Sequence, residues 1–170
     1  MIRASALALV VLAGPVTAEQ NAPDPHTNVM GVFETVCLRG EPDFSDSNAG
    51  FFHNGFEQQE GGYWVHPLYA VIGAVRSSEG DVQRICSVGL EQGDPAQFAE
   101  ALPAVLAGVW VDADLKRFAG SGGRSDIYMT EAEDSVRAAW VDISEGNIAV
   151  RMTSYTRKRD APQGATPPLH

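Results

Sequence analysis

The sequence predicts an α+β domain with an about five-stranded, mostly antiparallel sheet and two to three helices packed on one of its faces. Apolar residues recur at helical spacing near the start of the chain and again after Asp94-Pro95. Two runs of strand-like composition, 69–76 and 82–90, are joined by a polar turn, and three more occupy the C-terminal third. The predicted element order is therefore α-(α)-β-β-α-β-β-β, in which the second helix is short.

Residues 1–18 have the pattern of a cleavable signal peptide. A single basic residue precedes an apolar run at 4–13, and Val16 and Ala18 form a small-x-small cleavage site. As a helix the apolar run would span about 15 Å, half of a typical hydrocarbon core. Because Pro15 stands where a lipoprotein would carry its lipidated cysteine, we expect a product with no lipid anchor and no membrane insertion after cleavage.

The remainder divides into a flexible lead-in at 19–27, one α+β domain at 28–159 and a disordered tail at 160–170. The whole chain has 12 Lys and Arg residues against 22 Asp and Glu residues, for a formal net charge of −10. Such an acidic protein is a poor partner for nucleic acid or for an anionic membrane surface, because both require basic side chains.

Two cysteines, Cys37 and Cys86, lie in the predicted mature domain. An even number of cysteines in an exported chain predicts a disulfide, and neither cysteine belongs to a C-x-x-C motif. A reactive or metal-binding pair is the alternative. The chain-entropy model gives the bond a stabilising effect of about 4 kcal/mol. We expect it to tie the first helix to the core face of the second strand.

Three helices are predicted. The first begins at a cap formed by Thr27 or Asn28 and has one apolar face, made of Val29, Phe33, Val36 and Cys37. The second is a short helix that starts at Ser45 or Asp46 within a glycine-interrupted segment.

The third helix begins with Asp94 as its cap and Pro95 in its first turn. Its apolar positions are Phe98, Leu102, Val105 and Leu106. Pro103 is expected to kink this helix or to end it early, because proline lacks a backbone N–H. Gly108 closes the segment.

The five predicted strands are Tyr69–Arg76, Val82–Leu90, Asp126–Thr130, Val136–Ile143 and Asn147–Thr156. Between the third helix and the C-terminal strands, 109–111 could begin a short strand. Leu115 and Phe118 are interpreted as anchors in an irregular connection, and 120–123 as a flexible glycine-rich loop.

Five aromatic residues fall close together before the first predicted strand, namely Phe51, Phe52, Phe56, Tyr63 and Trp64. Core packing over the sheet explains such a cluster. A partly exposed surface for a ligand or a partner protein is the sharper alternative, since glycine-spaced aromatic residues on an irregular segment can shape a groove.

Motifs for catalysis, metal binding and nucleotide binding are missing from the sequence. It has no G-x-S-x-G elbow, and the glycine-rich string at 120–125 lacks the lysine and the βαβ setting of a phosphate loop. His53 and His66 are the two histidines inside the predicted fold, and their spacing matches no metal-ligand pattern. We expect neither a metal nor a cofactor.

These observations favour a non-catalytic periplasmic or secreted domain that binds a protein or a small ligand of unknown identity. Two alternatives are kept. One is a hydrolase-type enzyme in which His53 or His66 meets carboxylates only in the folded chain, and the other is a structural component of an envelope assembly.

Overall fold

One antiparallel sheet contains every described strand of the protein. The computed structural model describes residues 25–41, 44–67, 71–78, 83–132, 134–144 and 147–156. The strands are β1 (Glu57–Gln58), β2 (Tyr63–Val65), β3 (Val71–Ser77), β4 (Gln83–Leu90), β5 (Lys116–Phe118), β6 (Ile127–Glu131), β7 (Ser135–Ser144) and β8 (Asn147–Thr156). Their order is β1-β2-β3-β4-β8-β7-β6-β5. Two four-stranded meanders are thus joined edge to edge where β4 pairs with β8.

The α+β class and the mostly antiparallel sheet are confirmed, but the predicted strand number of about five is wrong. The five predicted strands correspond to β3, β4, β6, β7 and β8, and the additional ones are β1, β2 and β5. Each additional strand is only two or three residues long, which is too short to show an alternating pattern. Phe118, expected in an irregular connection, belongs to β5 and is exposed.

The first helix, α1 (Pro25–Val32), continues directly into a π-helical segment, Phe33–Leu38. It begins at Pro25, ahead of the predicted cap, because proline is favoured in a first helical turn. The apolar face is as predicted: Val29, Phe33, Val36 and Cys37 are all fully buried. The predicted signal peptide, most of the lead-in and the predicted tail lie outside the described residues.

A disulfide joins Cys37 to Cys86, with 5.5 Å between their Cα atoms. This confirms the predicted pairing. Cys86 lies on β4 and is fully buried with Val88, two residues further along the same face of the strand. The bond therefore ties the π-helical end of the first helix to the core face of the second predicted strand, as expected.

The remaining helices are α2 (Ser47–His53), which is the predicted short helix, and α3 (Pro95–Val109). The Asp94 carboxylate accepts a hydrogen bond of 2.9 Å from the backbone N–H of Ala96, so the predicted cap is confirmed. Pro103 does not end α3 early. Phe98 before it and Leu106 after it are both buried in the core, and this packing holds the helix together across the missing hydrogen bond. Residues 109–111 form the end of the helix and a following turn rather than a strand.

The sheet has two faces of different character. On one face, Trp64, Gly73, Val88, Val150 and Val141 lie opposite one another across five strands, and this face packs against α1, α2 and α3. We call the opposite face, on which none of the described helices packs, the helix-free face. None of the described helices is both long enough and apolar enough to cross a membrane.

Candidate functional site

The five aromatic residues proposed as a surface do not lie together on one surface. Phe51, Phe56 and Trp64 are buried. The Phe51 ring centroid lies 5.3 Å from that of Phe56, edge to face, and 6.0 Å from that of Trp64, stacked. The indole N–H of Trp64 donates a hydrogen bond of 3.2 Å to the side-chain oxygen of Asn48 on α2. These three aromatic residues therefore form the contact between α2 and the sheet.

Phe52 and Tyr63 are the exposed members of the set, with 67% and 41% of their surface accessible. They lie on different sides of the molecule. Phe52 is on α2, on the helical side, whereas Tyr63 alternates with Trp64 along β2 and so stands on the helix-free face. The ligand or partner surface predicted from the sequence stays a prediction, and Tyr63 is the member of the set that lies on the helix-free face.

Tyr63 begins a row of residues that crosses the helix-free face. Paired in register from β2 to β7, the row contains Tyr63, Ala74, Ser87, Arg151 and Trp140. Four strand spacings make it about 19 Å long. The neighbouring row contains Val65, Ile72, Gly89, Ala149 and Asp142. Small residues thus occupy the centre of this face, and larger side chains surround them.

Arg124, Arg151 and Trp140 lie on one side of the small residues at the centre of this face. Arg151 Nε lies 3.1 Å from Asp142 Oδ2, an ion pair without hydrogen-bond geometry. The guanidinium carbon of Arg124 lies 5.7 Å from the ring centroid of Trp140, which is a cation–π contact. The indole N–H of Trp140 is buried and has no hydrogen-bond partner among the described residues. A second, smaller apolar cluster formed by Ile127, Met129, Ala138 and Trp140 lies on this side of the sheet.

Arg124 is held in place by the glycine-rich segment that precedes it. The sequence predicted a flexible loop, but this segment is hydrogen-bonded along β7: Ile143 N–H donates to the Gly123 carbonyl and Ser125 N–H to the Val141 carbonyl, both at 2.8 Å. Gly123 has a φ of 81°, which favours glycine. The segment therefore positions Arg124 over the sheet. The backbone N–H of Ser125 is already hydrogen-bonded to β7.

A buried polar cluster lies on the opposite, helical side. Glu41 Oε1 accepts a hydrogen bond from Trp110 Nε1 at 2.9 Å and forms an ion pair with Arg137 Nη1 at 3.0 Å. Glu41 Oε2 and Arg137 Nε are buried without hydrogen-bond partners among the described residues. Burial raises the pKa of Glu41 above its ordinary value, and the charge of Arg137 opposes this shift. The cluster joins the segment after the first helix, the end of α3 and β7.

The two histidines of the hydrolase alternative have different surroundings, and that alternative stays a prediction. His53 is exposed at the end of α2, and the ring of His66 packs edge to face on Phe56 at 5.2 Å. Among the described residues no group of three or more His, Cys, Asp or Glu side chains could hold a metal ion. The two cysteines are joined to each other, so the reactive and metal-binding alternative for this pair is wrong.

Sequence reasoning missed the helix-free face, because its residues come from strands that are far apart in the chain. A local pattern did exist for part of it. In Tyr63-Trp64-Val65 the alternation of a strand already separates Tyr63 from Trp64. The neighbourhood of Arg151 and Trp140 depends on the register of β7 with β8 and has no counterpart in local sequence.

Comparison of this chain with models of protein families and with curated proteins finds no match.

Proposed function

We propose that the protein is an exported, non-catalytic binding domain of the cell envelope, periplasmic or secreted, and that it binds another protein through its helix-free face. The observation that carries the proposal is the composition of this face. It combines half-exposed apolar residues with arginines around a centre of small side chains. Patches that mix exposed apolar surface with aromatic and arginine side chains are typical of protein interfaces.

The shape of the face favours a protein over a small molecule. Small-molecule sites are concave and enclose most of their ligand. The row from Tyr63 to Trp140 is instead about 19 Å long and lies on the face of the sheet on which no described helix packs. A polypeptide segment can run along a row of this length.

Export is supported by two independent features. Residues 1–18 have the composition of a signal peptide. The Cys37–Cys86 disulfide is of the kind that forms and persists in oxidising compartments such as the periplasm.

The test is a capture experiment from envelope extract with the exported protein as bait. Ser87→Arg places a long charged side chain in the small centre of the face, where β4 has no helix above it. Ala104→Arg adds the same side chain to the exposed surface of α3 and is the matched control. We expect a partner that the wild type and Ala104→Arg capture equally and that Ser87→Arg captures at least tenfold less.

Both variants must first give the near-ultraviolet circular dichroism of the wild type, which shows that the core is intact. A partner captured equally by Ser87→Arg, or lost only with Ala104→Arg, would place the binding surface elsewhere and overturn the proposal.

A further inference from the structure

Resting on the proposed function, we propose that the helix-free face binds an acidic, amphipathic segment of the partner protein, whose carboxylates pair with Arg76, Arg124 and Arg151. The argument has three parts: the distribution of charge over the molecule, the positions of the arginines, and the apolar surface between them.

Charge is distributed unevenly over the described residues. The helix-free face carries four of the eight described basic residues, Arg76, Lys116, Arg124 and Arg151. It carries only three of the fourteen described acidic residues, Glu57, Glu131 and Asp142. The other sides of the described structure therefore hold eleven acidic residues against four basic ones. Within the part of the chain that the structure describes, this face therefore has the balance of charge best suited to an anionic partner.

Two of the arginines are available for a partner. Arg76 is exposed, and neither it nor Arg124 forms an ion pair with a carboxylate of the described residues. Arg124 instead rests on the ring of Trp140. Arg151 pairs with Asp142, but 36% of its side chain is accessible, so its terminal N–H groups can donate hydrogen bonds to a second carboxylate.

The backbones of Arg76, Arg124 and Arg151 are well separated on the helix-free face. Arg76 pairs in register with Ile85 on β4, two strands and one row from Arg151 on β8. Strand geometry puts their backbones roughly 12 Å apart. Arg124 lies on the far side of β7, and the same geometry puts its backbone roughly 12 Å from that of Arg151. Carboxylates spaced along a polypeptide can reach all three of these positions at once.

Apolar side chains lie between the basic positions. Val65, Ile72 and Ile85 are only partly buried on this face, and the small side chain of Ala74 lies beside them. A segment that sits here covers apolar surface with its own apolar side chains and directs its carboxylates outward to the arginines. This combination favours an amphipathic acidic segment, because such a segment supplies both the apolar side chains and the carboxylates that the face calls for.

The test uses two synthetic amphipathic helical peptides that share the same leucine positions. One carries glutamate at all other positions and the other carries lysine. Binding is followed by backbone amide chemical shifts of the labelled, exported protein in low salt. We expect the glutamate peptide to shift the amides of Ser87, Ala149 and Arg151, and to bind at least tenfold more tightly than the lysine peptide.

Charge-neutralising variants complete the test. Arg76→Gln/Arg124→Gln removes two charges from the face and should lower the affinity for the glutamate peptide at least fivefold. Arg39→Gln/Arg117→Gln removes two exposed charges elsewhere and should leave its affinity within twofold.

Two results would overturn the proposal of an acidic partner without contradicting the binding function. One is equal affinity of both peptides for the face, and the other is an affinity for the glutamate peptide that is unchanged when Arg76 and Arg124 are replaced. A failure of the glutamate peptide to shift these amides would have the same consequence. The binding function is judged separately, by the capture experiment with Ser87→Arg.

Discussion

The ring of Phe51 on α2 lies directly over the backbone of Gly73 on β3. A Cβ atom added at Gly73 would fall less than 3.0 Å from three atoms of that ring. Glycine inside a strand often marks such a close approach. Here it allows α2 to sit on the sheet and to bury Phe51, Phe56 and Trp64 together.

Gly73→Ala should destabilise the protein, because the added methyl group displaces the Phe51 ring from a well-packed site. Overpacking of this kind costs about 1–3 kcal/mol. Urea unfolding followed by tryptophan fluorescence measures it. Gly108→Ala is the control: no atom lies within 4 Å of an added Cβ there, and alanine favours the helix. Equal stability of wild type and Gly73→Ala would contradict the described packing.

Removing the disulfide should cost about 2–5 kcal/mol of unfolding free energy. Cys37→Ala/Cys86→Ala is the appropriate variant, since both cysteines are fully buried and alanine introduces no unpartnered polar group. Guanidinium unfolding of the wild type with and without reductant provides a second measurement. The reduced wild type and the double variant should agree to within about 1 kcal/mol, the loss expected for the packing of the sulfur atoms. A reductant that leaves the wild-type midpoint unchanged would contradict this prediction.

Glu41 should make stability depend on pH in an unusual direction for a carboxylate. Burial raises the pKa of Glu41 in the folded state above its ordinary value of 4.5, so the folded protein binds its proton more tightly than the unfolded chain does. The stabilisation that results from this tighter proton binding is fully present below pH 4.5, and it is lost as the pH rises through the pKa of Glu41 in the folded state.

The measurement compares wild type with Glu41→Gln, whose side chain does not titrate, in urea unfolding from pH 4 to pH 7. The stability of the wild type relative to Glu41→Gln should fall as the pH rises, because the other carboxylates are common to both proteins. A difference that grows with pH would show that the attraction of Arg137 outweighs burial, and a constant difference would show that the two effects cancel; either result would contradict the prediction.

The local parts of the fold could be predicted from the sequence, and the non-local parts could not. Asp94-Pro95 is a local signal for a helix start, and two cysteines allow a single intramolecular pairing. Strands β1, β2 and β5 exist because neighbouring strands pair with them, and two or three residues carry too little pattern to reveal this.

The same limit applies to the candidate site. The aromatic cluster before β3 was noticed in the sequence, but which of its members are exposed depends on Gly73 and on the alternation along β2. Glu41 and Arg137 come from segments far apart in the chain, and their pairing follows from the packing of the π-helical segment over the sheet. The local sequence predicts neither the contact of Phe51 with Gly73 nor the ion pair between Glu41 and Arg137.

Tyr63 and Phe52 allow the most direct test of the helix-free face as the binding surface, because both are exposed aromatic residues and they lie on different sides of the sheet. The photoreactive amino acid p-benzoylphenylalanine replaces each in turn, and the exposure of both positions leaves space for its added benzoyl group. The variants are then irradiated in the cells that produce them. We predict a discrete covalent adduct with a partner protein from position 63 and none from position 52. An adduct from position 52 alone, or none from position 63, would contradict the account.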